Sequence, residues 1–276
     1  NEVKADTEIG ITGINFYRDT LDPLDVEENG KITIKNCEIL LHGNGIYGMN
    51  FLRKSTEVQI LNNIVELTAN SDFNNDAYNA IGLYGDAEVF LIDGNTVNGS
   101  GHSAIAVSMA KKGQITNNRV FNVMWNAANI TEAGIEVEYK TGHGDATLET
   151  YGVVVANNYV EHCQHGIAVW ERAPTAATLV PYNIIINSNI VNDSSLADIS
   201  VGQAAGDANV TTKIHDINIV NNILTSSATK AGIRIYEGKD IKITGNILDG
   251  QAYGIMLGRN ASLTVTGDFD ISGNTL

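Results

Sequence analysis

A short motif recurs along nearly the whole chain: an alternating apolar run that ends in Asn-x-apolar. The repeated asparagine occupies positions Asn63, Asn95, Asn118, Asn158, Asn189, Asn222, Asn246 and Asn274. Two earlier runs carry Ile14 and Cys37 at the asparagine position. The shortest step between copies is 23 residues, from Ile14 to Cys37, and the longest is 40, from Asn118 to Asn158. Repeats of this period are typical of solenoids, in which each copy stacks on the next.

A second motif, Gly-Ile-x-apolar, lies between most copies of the first. It is clearest at residues 134–137, 166–169, 232–235 and 254–257, with looser copies at 45–46, 80–81, 104–105 and 198–199. No helical periodicity separates the runs, and no Asn-Gly or Asp-Gly turn joins successive runs at hairpin spacing. Such strands stack in parallel on the next repeat, about 4.8 Å away. We therefore predict an all-β fold, a single-stranded right-handed parallel β-helix of about ten rungs, with residues 1–276 as one domain.

The recurring asparagine predicts a corner of this coil. Asparagine tolerates the left-handed backbone conformation that a sharp corner needs. Its side-chain amide can also hydrogen-bond the asparagines of the coils above and below. We therefore predict a ladder of amides along one edge of the rod.

The net charge of the chain excludes some classes of binding partner. The chain has 276 residues with 17 basic and 32 acidic side chains, a formal net charge of −15. A surface this acidic repels nucleic acids and anionic membranes at long range, so we expect no nucleic-acid partner. No apolar run approaches the roughly 18–20 residues of a membrane span, so we expect no membrane insertion. With 43% hydrophobic residues the chain can bury a core, which excludes wholesale disorder.

On its repeats the chain resembles the pectate-lyase-like β-helix superfamily over nearly its whole length. That superfamily includes polysaccharide lyases, family 28 glycoside hydrolases, alginate epimerases, phage tailspikes and surface proteins. The resemblance implies a polysaccharide partner and a secreted or cell-surface location. Its enzymes usually carry an N-terminal helix that plugs the coil, whereas here the first rung begins by Ile9 and the last stops at Leu276. We expect both ends of the coil to lack a capping helix. Further domains of a longer chain, or self-association, are expected to cover them.

Side chains alternate across a strand, so both x positions of each Gly-Ile-x-apolar-x run are predicted to point out of the coil. The first outward column is Tyr47, Gly82, Ala106, Glu136, Ala168, Ser200, Arg234 and Met256. The second column is Met49, Tyr84, Ser108, Glu138, Trp170, Gly202, Tyr236 and Gly258. Long segments after these strands, at 140–149, 172–180 and 204–212, are placed to wall a groove. A groove with small floor residues, carboxylates, an aromatic ring and a cation suits a sugar chain.

Glu136 and Glu138 are the candidate catalytic pair of this groove. Two positions apart on one face of a strand, their carboxyl groups are expected roughly 6–8 Å apart. That separation is near the one that an inverting glycosidase needs between its general acid and base. Two exposed glutamates equally suit a solvated surface without chemistry. The candidate substrate-binding residues are Trp170, Glu171, Arg234 and Glu237, with Trp170 placed to stack on a sugar ring.

Three segments resemble family 28 hydrolases. Residues 164–167 (Gln-His-Gly-Ile) resemble the Gly-His-Gly-Ile segment, whose histidine supports the catalytic carboxylates. Residues 234–236 (Arg-Ile-Tyr) resemble the Arg-Ile-Lys segment that binds the substrate carboxylate, with tyrosine in place of lysine. Residues 129–136 are a looser echo of the Asn-Thr-Asp-Gly segment, with glutamates in place of aspartates. The resemblance implies a catalytic role for His165 and substrate binding by Arg234; the alternative for His165 is a locally bonded turn residue.

The same face also suits a lyase or an epimerase. Those reactions remove a proton next to a carboxylate, which requires a base such as Tyr236 and a cation such as Arg234. The alternative is an exposed Arg234–Glu237 ion pair of little energetic value. Calcium is the candidate cofactor, with oxygen ligands in the loop at 72–76, although a solvated acidic loop is the favoured interpretation.

We therefore predict a carbohydrate-active protein that binds a polysaccharide in this groove and cleaves or modifies it, as a hydrolase before a lyase or epimerase. The alternative is a non-catalytic cell-surface, fibre or tailspike-type protein with a structural or adhesive role. The missing aspartate pair of family 28 favours that alternative. It predicts end-to-end or trimeric association without turnover.

Overall fold

The computed structural model describes residues 14–16, 29–42, 49–51, 55–68, 79–100, 102–123, 133–139, 149–171, 179–202, 214–226, 230–258 and 268–276. The regular structure in these ranges is β-strand, and no described segment is a helix that could cross a bilayer. The first strands are β1 Ile14–Phe16, β2 Asn29–Lys35, β3 Glu38–His42, β4 Met49–Phe51, β5 Ser55–Leu61, β6 Ile64–Thr68, β7 Ile81–Ala87, β8 Phe90–Asp93, β9 Thr96–Ser100, β10 Ile105–Ala110, β11 Gly113–Thr116, β12 Arg119–Val123 and β13 Ala133–Tyr139. They are followed by β14 Tyr151–Ala156, β15 Tyr159–Glu161, β16 His165–Glu171, β17 Tyr182–Asn187, β18 Ile190–Asn192, β19 Ala197–Val201, β20 His215–Val220, β21 Ile223–Thr225, β22 Ala231–Ile235, β23 Lys239–Thr244, β24 Ile247–Asp249, β25 Tyr253–Leu257 and β26 Phe269–Ser272.

Successive strands pass through three parallel sheets in strict rotation. Sheet 1 contains β1, β4, β7, β10, β13, β16, β19, β22 and β25. Sheet 2 contains β2, β5, β8, β11, β14, β17, β20, β23 and β26, and sheet 3 contains β3, β6, β9, β12, β15, β18, β21 and β24. Each strand pairs in parallel with the strand three places further along the chain. The chain therefore coils as a parallel β-helix, which confirms the prediction at that level.

Aliphatic side chains from all three sheets fill the interior of the coil. In β13, Ile135 and Val137 belong to this core. The aligned core positions of sheet 1 are Ile81, Ile105, Ile135, Ile167, Ile199, Ile233 and Ile255. Burying each such side chain stabilises the coil by about 1.5–3 kcal/mol relative to leaving it exposed.

The predicted amide ladder is present between sheets 2 and 3. From Asn63 to Asn246, each ladder asparagine donates from its backbone N and its Nδ2 to Oδ1 of the asparagine in the next coil, at 2.9–3.0 Å. The Nδ2 group also donates to a backbone carbonyl of the preceding coil, at 2.8–3.1 Å. The ladder joins Asn63, Asn95, Asn118, Asn158, Asn189, Asn222, Asn246 and Asn274. These amides are satisfied inside the coil, as buried polar groups must be.

The prediction that the ladder asparagine itself has the left-handed conformation is wrong. At each corner the residue before it has that conformation. Asn62, Asn117 and Asn157 have φ of 52°, 55° and 57°. The ladder side chain must point inward to reach its neighbours, so the preceding residue turns the chain with its own side chain outward. Asparagine and glycine tolerate that conformation at low cost. The other corner residues are Asn36, Gly94, Ser188, Asn221, Gly245 and Gly273.

The two earliest motif copies differ in outcome. Cys37 does occupy a ladder corner, because its backbone N donates to Asn63 Oδ1 at 3.0 Å. The prediction for Ile14 is wrong: this residue lies in sheet 1, where it pairs with Met49. An alternating apolar run has the same pattern in every sheet, so without the asparagine nothing in it identifies the corner.

The outward columns of sheet 1 are also shifted at their first member. Asn50, and not Tyr47, occupies the register position next to Gly82. Met49 therefore aligns with the core position of Ile81 instead of the second outward column, and Tyr47 lies outside the described residues. The copy at 45–46 also lies outside the described residues.

The glycine of the Gly-Ile motif is required by close approach between coils. A Cβ on Gly166 would lie 2.2 Å from Val191 Cγ1 and 2.6 Å from the Asp198 carbonyl oxygen. A Cβ on Gly134 would lie 2.4 Å from Val160 Cγ1. The corner between sheets 3 and 1 is thus packed too tightly at these positions for any side chain.

Candidate functional site

From Gly82 onward, the strand register stacks the outward columns of sheet 1 as predicted. One column runs through Gly82, Ala106, Glu136, Ala168, Ser200, Arg234 and Met256. The other begins Tyr84, Ser108, Glu138 and Trp170. Trp170 and Tyr236 pack with Ala133 and Ala168 in a cluster separate from the coil interior. We call this side of sheet 1 the outer face.

From Gly82 to Ser200 the outer face is buried, whereas Arg234 and Met256 are half-buried, so the predicted open groove is wrong for the buried part. Glu136 and Glu138 are 0% exposed, and Trp170 is 1% exposed. His165 and Glu171 are buried to the same degree. Alternation along a strand determines which side of the sheet a residue occupies, but not what packs on that side. Neither an open groove nor a solvated surface describes these glutamates.

Two buried glutamates, Glu136 and Glu138, lie on this face in β13. Two more buried glutamates, Glu171 at the end of β16 and Glu237 after β22, belong to neighbouring strands of the same sheet. Carboxylates are almost never fully buried in ordinary packing, because desolvating the charge is expensive. Groups of them in one place are instead typical of catalytic and binding sites.

Ser103 positions one of these carboxylates. Its hydroxyl donates a short hydrogen bond to Glu136 Oε2 and accepts one from the backbone N of Ala133 at 3.2 Å. Glu136 lies between the small side chains of Ala106 and Ala168 in the register. Ser103 carries no motif signal in the sequence, because its role depends on contact with a coil 33 residues away.

His165 is part of a strand and contacts the next coil, so its interpretation as a local turn residue is wrong. Its Nδ1 lies 2.6 Å from Ser200 Oγ, in the neighbouring strand β19. Its ring meets Trp170 edge-on, with centroids 5.0 Å apart and planes at 90°. Together these contacts fix the orientation of the imidazole.

Among the residues that the structure describes, Arg234 is a cation without a counter-charge. It forms no ion pair with any residue the structure describes, so the expected Arg234–Glu237 pair is absent there. Its Cζ lies 4.4 Å from the ring centroid of Tyr236, and its buried Nε has no hydrogen-bond partner. A guanidinium carries five donors and ordinarily engages a carboxylate or phosphate. Arg234 is therefore suited to bind an anionic ligand group.

Asp198 is a buried titratable group that sequence reasoning missed. It occupies the Gly position of its Gly-Ile copy, in line with Gly166 and Gly232. Its carboxylate accepts from Ser226 Oγ at 2.5 Å and from Gln251 Nε2 at 3.0 Å. Burial raises the pKa of Asp198 to about 6, although these hydrogen bonds act in the opposite direction.

Asp198→Asn is expected to flatten the pH dependence of stability. A folded-state pKa raised from 3.8 to about 6 gives stability that is complete below about pH 4 and is lost as the pH rises through 6. The shift corresponds to about 3 kcal/mol between pH 4 and pH 8. Urea unfolding of both proteins at these two pH values measures the difference. Parallel pH profiles for the two proteins would show that Asp198 titrates normally.

Sheet 2 carries an aromatic stack at its edge. Tyr151 and Tyr182 stack with centroids 5.1 Å apart, and Tyr182 stacks on His215 at 5.2 Å. The ring faces are used against one another along the rod axis. Both faces of the Tyr182 ring are covered in this way, and the stack is a structural ladder like that of the asparagines.

The described residues give no direct support to a metal site. Within them, no group of three His, Cys, Asp or Glu side chains is arranged to hold an ion. The proposed calcium loop at 72–76 lies outside the described residues, as do most of the segments predicted to wall the groove. Calcium therefore stays a prediction.

No protein-family model matches the chain, and no curated protein or solved structure is significantly similar to it. Function must therefore be argued from the outer face itself, since one fold serves many activities.

Proposed function

We propose that this protein is a polysaccharide-processing enzyme that acts on the outer face of sheet 1, as a hydrolase before a lyase or epimerase. The proposal includes the finer description of the coil as right-handed and pectate-lyase-like, with about ten rungs, and a location outside the cell. The observation that carries it is the burial of Glu136 and Glu138 on one face of one strand. A scaffold has no use for two desolvated carboxylates, whereas an acid–base pair requires them.

In the hydrolytic mechanism the two glutamates have different roles. One carboxylic acid protonates the leaving oxygen of the glycosidic bond, and the other carboxylate activates a water molecule. Glu136 accepts the hydroxyl of Ser103, and a carboxylate held by a donor is suited to act as the base. Glu138 is then the acid.

The remaining residues of the face suit substrate binding. Arg234 offers a guanidinium that no described carboxylate neutralises, which favours a polysaccharide that carries carboxylates. Trp170, which is buried beside His165, borders this site, and Glu171 and Glu237 are the predicted acceptors of hydrogen bonds from sugar hydroxyls.

One observation favours elimination as the second candidate reaction. The guanidinium of Arg234 lies over the ring of Tyr236. A cation in that place both neutralises a substrate carboxylate and favours ionisation of a phenol that removes the neighbouring proton. In the elimination reaction Tyr236 is the base, and Arg234 neutralises the substrate carboxylate.

Product formation on a panel of neutral and acidic polysaccharides, with and without calcium, tests the proposal. New reducing ends without ultraviolet absorbance from an unsaturated uronate would support hydrolysis by the Glu136–Glu138 pair. Absorbance with new reducing ends would support the lyase mechanism. No product and no bound sugar across the panel would overturn the proposal in favour of the structural or adhesive alternative.

A further inference from the structure

The outer face also holds a serine and a histidine in direct contact. His165 Nδ1 lies 2.6 Å from Ser200 Oγ, and both side chains are fully buried. No step of glycosidic cleavage or elimination described above uses Ser200. A hydroxyl within hydrogen-bond reach of an imidazole is the arrangement that activates a serine nucleophile.

The imidazole is held in the orientation that such a base requires. For Nδ1 to accept the Ser200 hydroxyl proton, neutral His165 carries its own proton on Nε2. The edge-on contact with Trp170 and the position of His165 within β16 restrict rotation of the ring. The hydrogen bond crosses between neighbouring strands, so the register of the coil preserves it.

A cationic side chain lies on the neighbouring strand. Arg234 pairs with Ser200 in the register, one strand further along the rod and so about 4.8 Å away at the backbone. Its guanidinium has no described counter-ion. Nucleophile, base and cation therefore come from three consecutive strands of sheet 1, namely β19, β16 and β22.

We propose that Ser200, His165 and Arg234 form an acyl-transfer centre that hydrolyses carboxylic esters, with O-acylated sugars as the substrate class. Ser200 Oγ attacks the ester carbonyl carbon while its proton passes to His165 Nδ1, and Arg234 stabilises the oxyanion. The tetrahedral intermediate expels the alcohol, which takes the proton from His165, and leaves an acyl-serine. Water then attacks the acyl group, gives a proton to His165, and releases the acid as the proton returns to Ser200.

The ester chemistry is independent of the proposed function; only the sugar nature of the alcohol rests on it. The test uses p-nitrophenyl acetate and a fluorophosphonate probe on the whole chain. Wild type is expected to hydrolyse the ester and to carry the probe on Ser200, as located by peptide mass spectrometry. Ser200→Ala and His165→Gln are expected to lose at least about 100-fold in turnover. Ser55→Ala removes a buried serine of sheet 2, away from this centre, and is expected to behave as wild type.

Two results would overturn the inference. One is wild type that neither turns over the ester nor reacts with the probe, a measurement that needs no variant to fold. The other is turnover that survives Ser200→Ala. Polysaccharide cleavage without probe labelling would reject the acyl-transfer centre alone, and labelling without polysaccharide cleavage would reject the glycosidic proposal alone.

Discussion

Asn158→Ala is expected to destabilise the coil by at least about 3 kcal/mol, a large part of the stability of an ordinary domain. Oδ1 of Asn158 accepts from Asn118 N and Nδ2, both at 3.0 Å. Its Nδ2 donates to the Ile115 carbonyl at 2.8 Å and to Asn189 Oδ1 at 2.9 Å. Alanine leaves at least three buried groups without these partners, at about 1–3 kcal/mol each. Denaturant unfolding of both proteins measures the loss.

Asn157→Gly is the matched control for this substitution. Asn157 is the exposed corner residue next to Asn158, with φ of 57°. Glycine adopts the same conformation readily, so the change is expected to alter the free energy of unfolding by less than about 1 kcal/mol. Equal losses in the two variants would contradict the assignment of stability to the ladder amide.

Glu136→Gln and Glu138→Gln are each expected to reduce polysaccharide cleavage by at least about 100-fold. Glutamine preserves the size of the side chain and its capacity to accept hydrogen bonds but cannot exchange a proton. Thermal unfolding is expected to stay close to that of wild type. Initial rates on the substrate identified by product formation, together with melting curves, measure both quantities.

Glu88→Gln controls for the loss of one negative charge. Glu88 is exposed at the turn between β7 and β8, far along the chain from the candidate pair. Its variant is expected to retain the wild-type rate. Full activity in both Glu136→Gln and Glu138→Gln would show that the reaction does not use this pair.

The fold follows from local patterns, which is why the sequence predicts it. A ladder asparagine such as Asn118 contacts its equivalents one coil away, so the repeat itself specifies the contact. Where the asparagine is missing, as at Ile14, the same apolar alternation fits any of the three sheets, and the assignment fails. The sequence pattern does not distinguish Asn117 from Asn118 as the left-handed corner, because both residues are asparagines.

The site is less predictable because its chemistry depends on contacts between coils. Stacking of Glu136, Ala168 and Ser200 follows from strand spacing and was predicted. The sequence does not predict that this stack is buried, because alternation along a strand carries no information on what covers the outer face. Asp198 stands where other copies have glycine, which is the one signal in the sequence that marked it as unusual.

Calorimetric titration with an acidic and a neutral oligosaccharide of equal length tests most directly whether the outer face of sheet 1 binds polysaccharide. Wild type is expected to bind the acidic oligosaccharide, and Arg234→Gln to bind it at least about tenfold more weakly, equal to about 1.4 kcal/mol. Lys242→Gln removes an exposed positive charge from sheet 2 and is expected to bind as wild type does. Failure of wild type to bind either oligosaccharide, or equal binding by Arg234→Gln, would contradict the account.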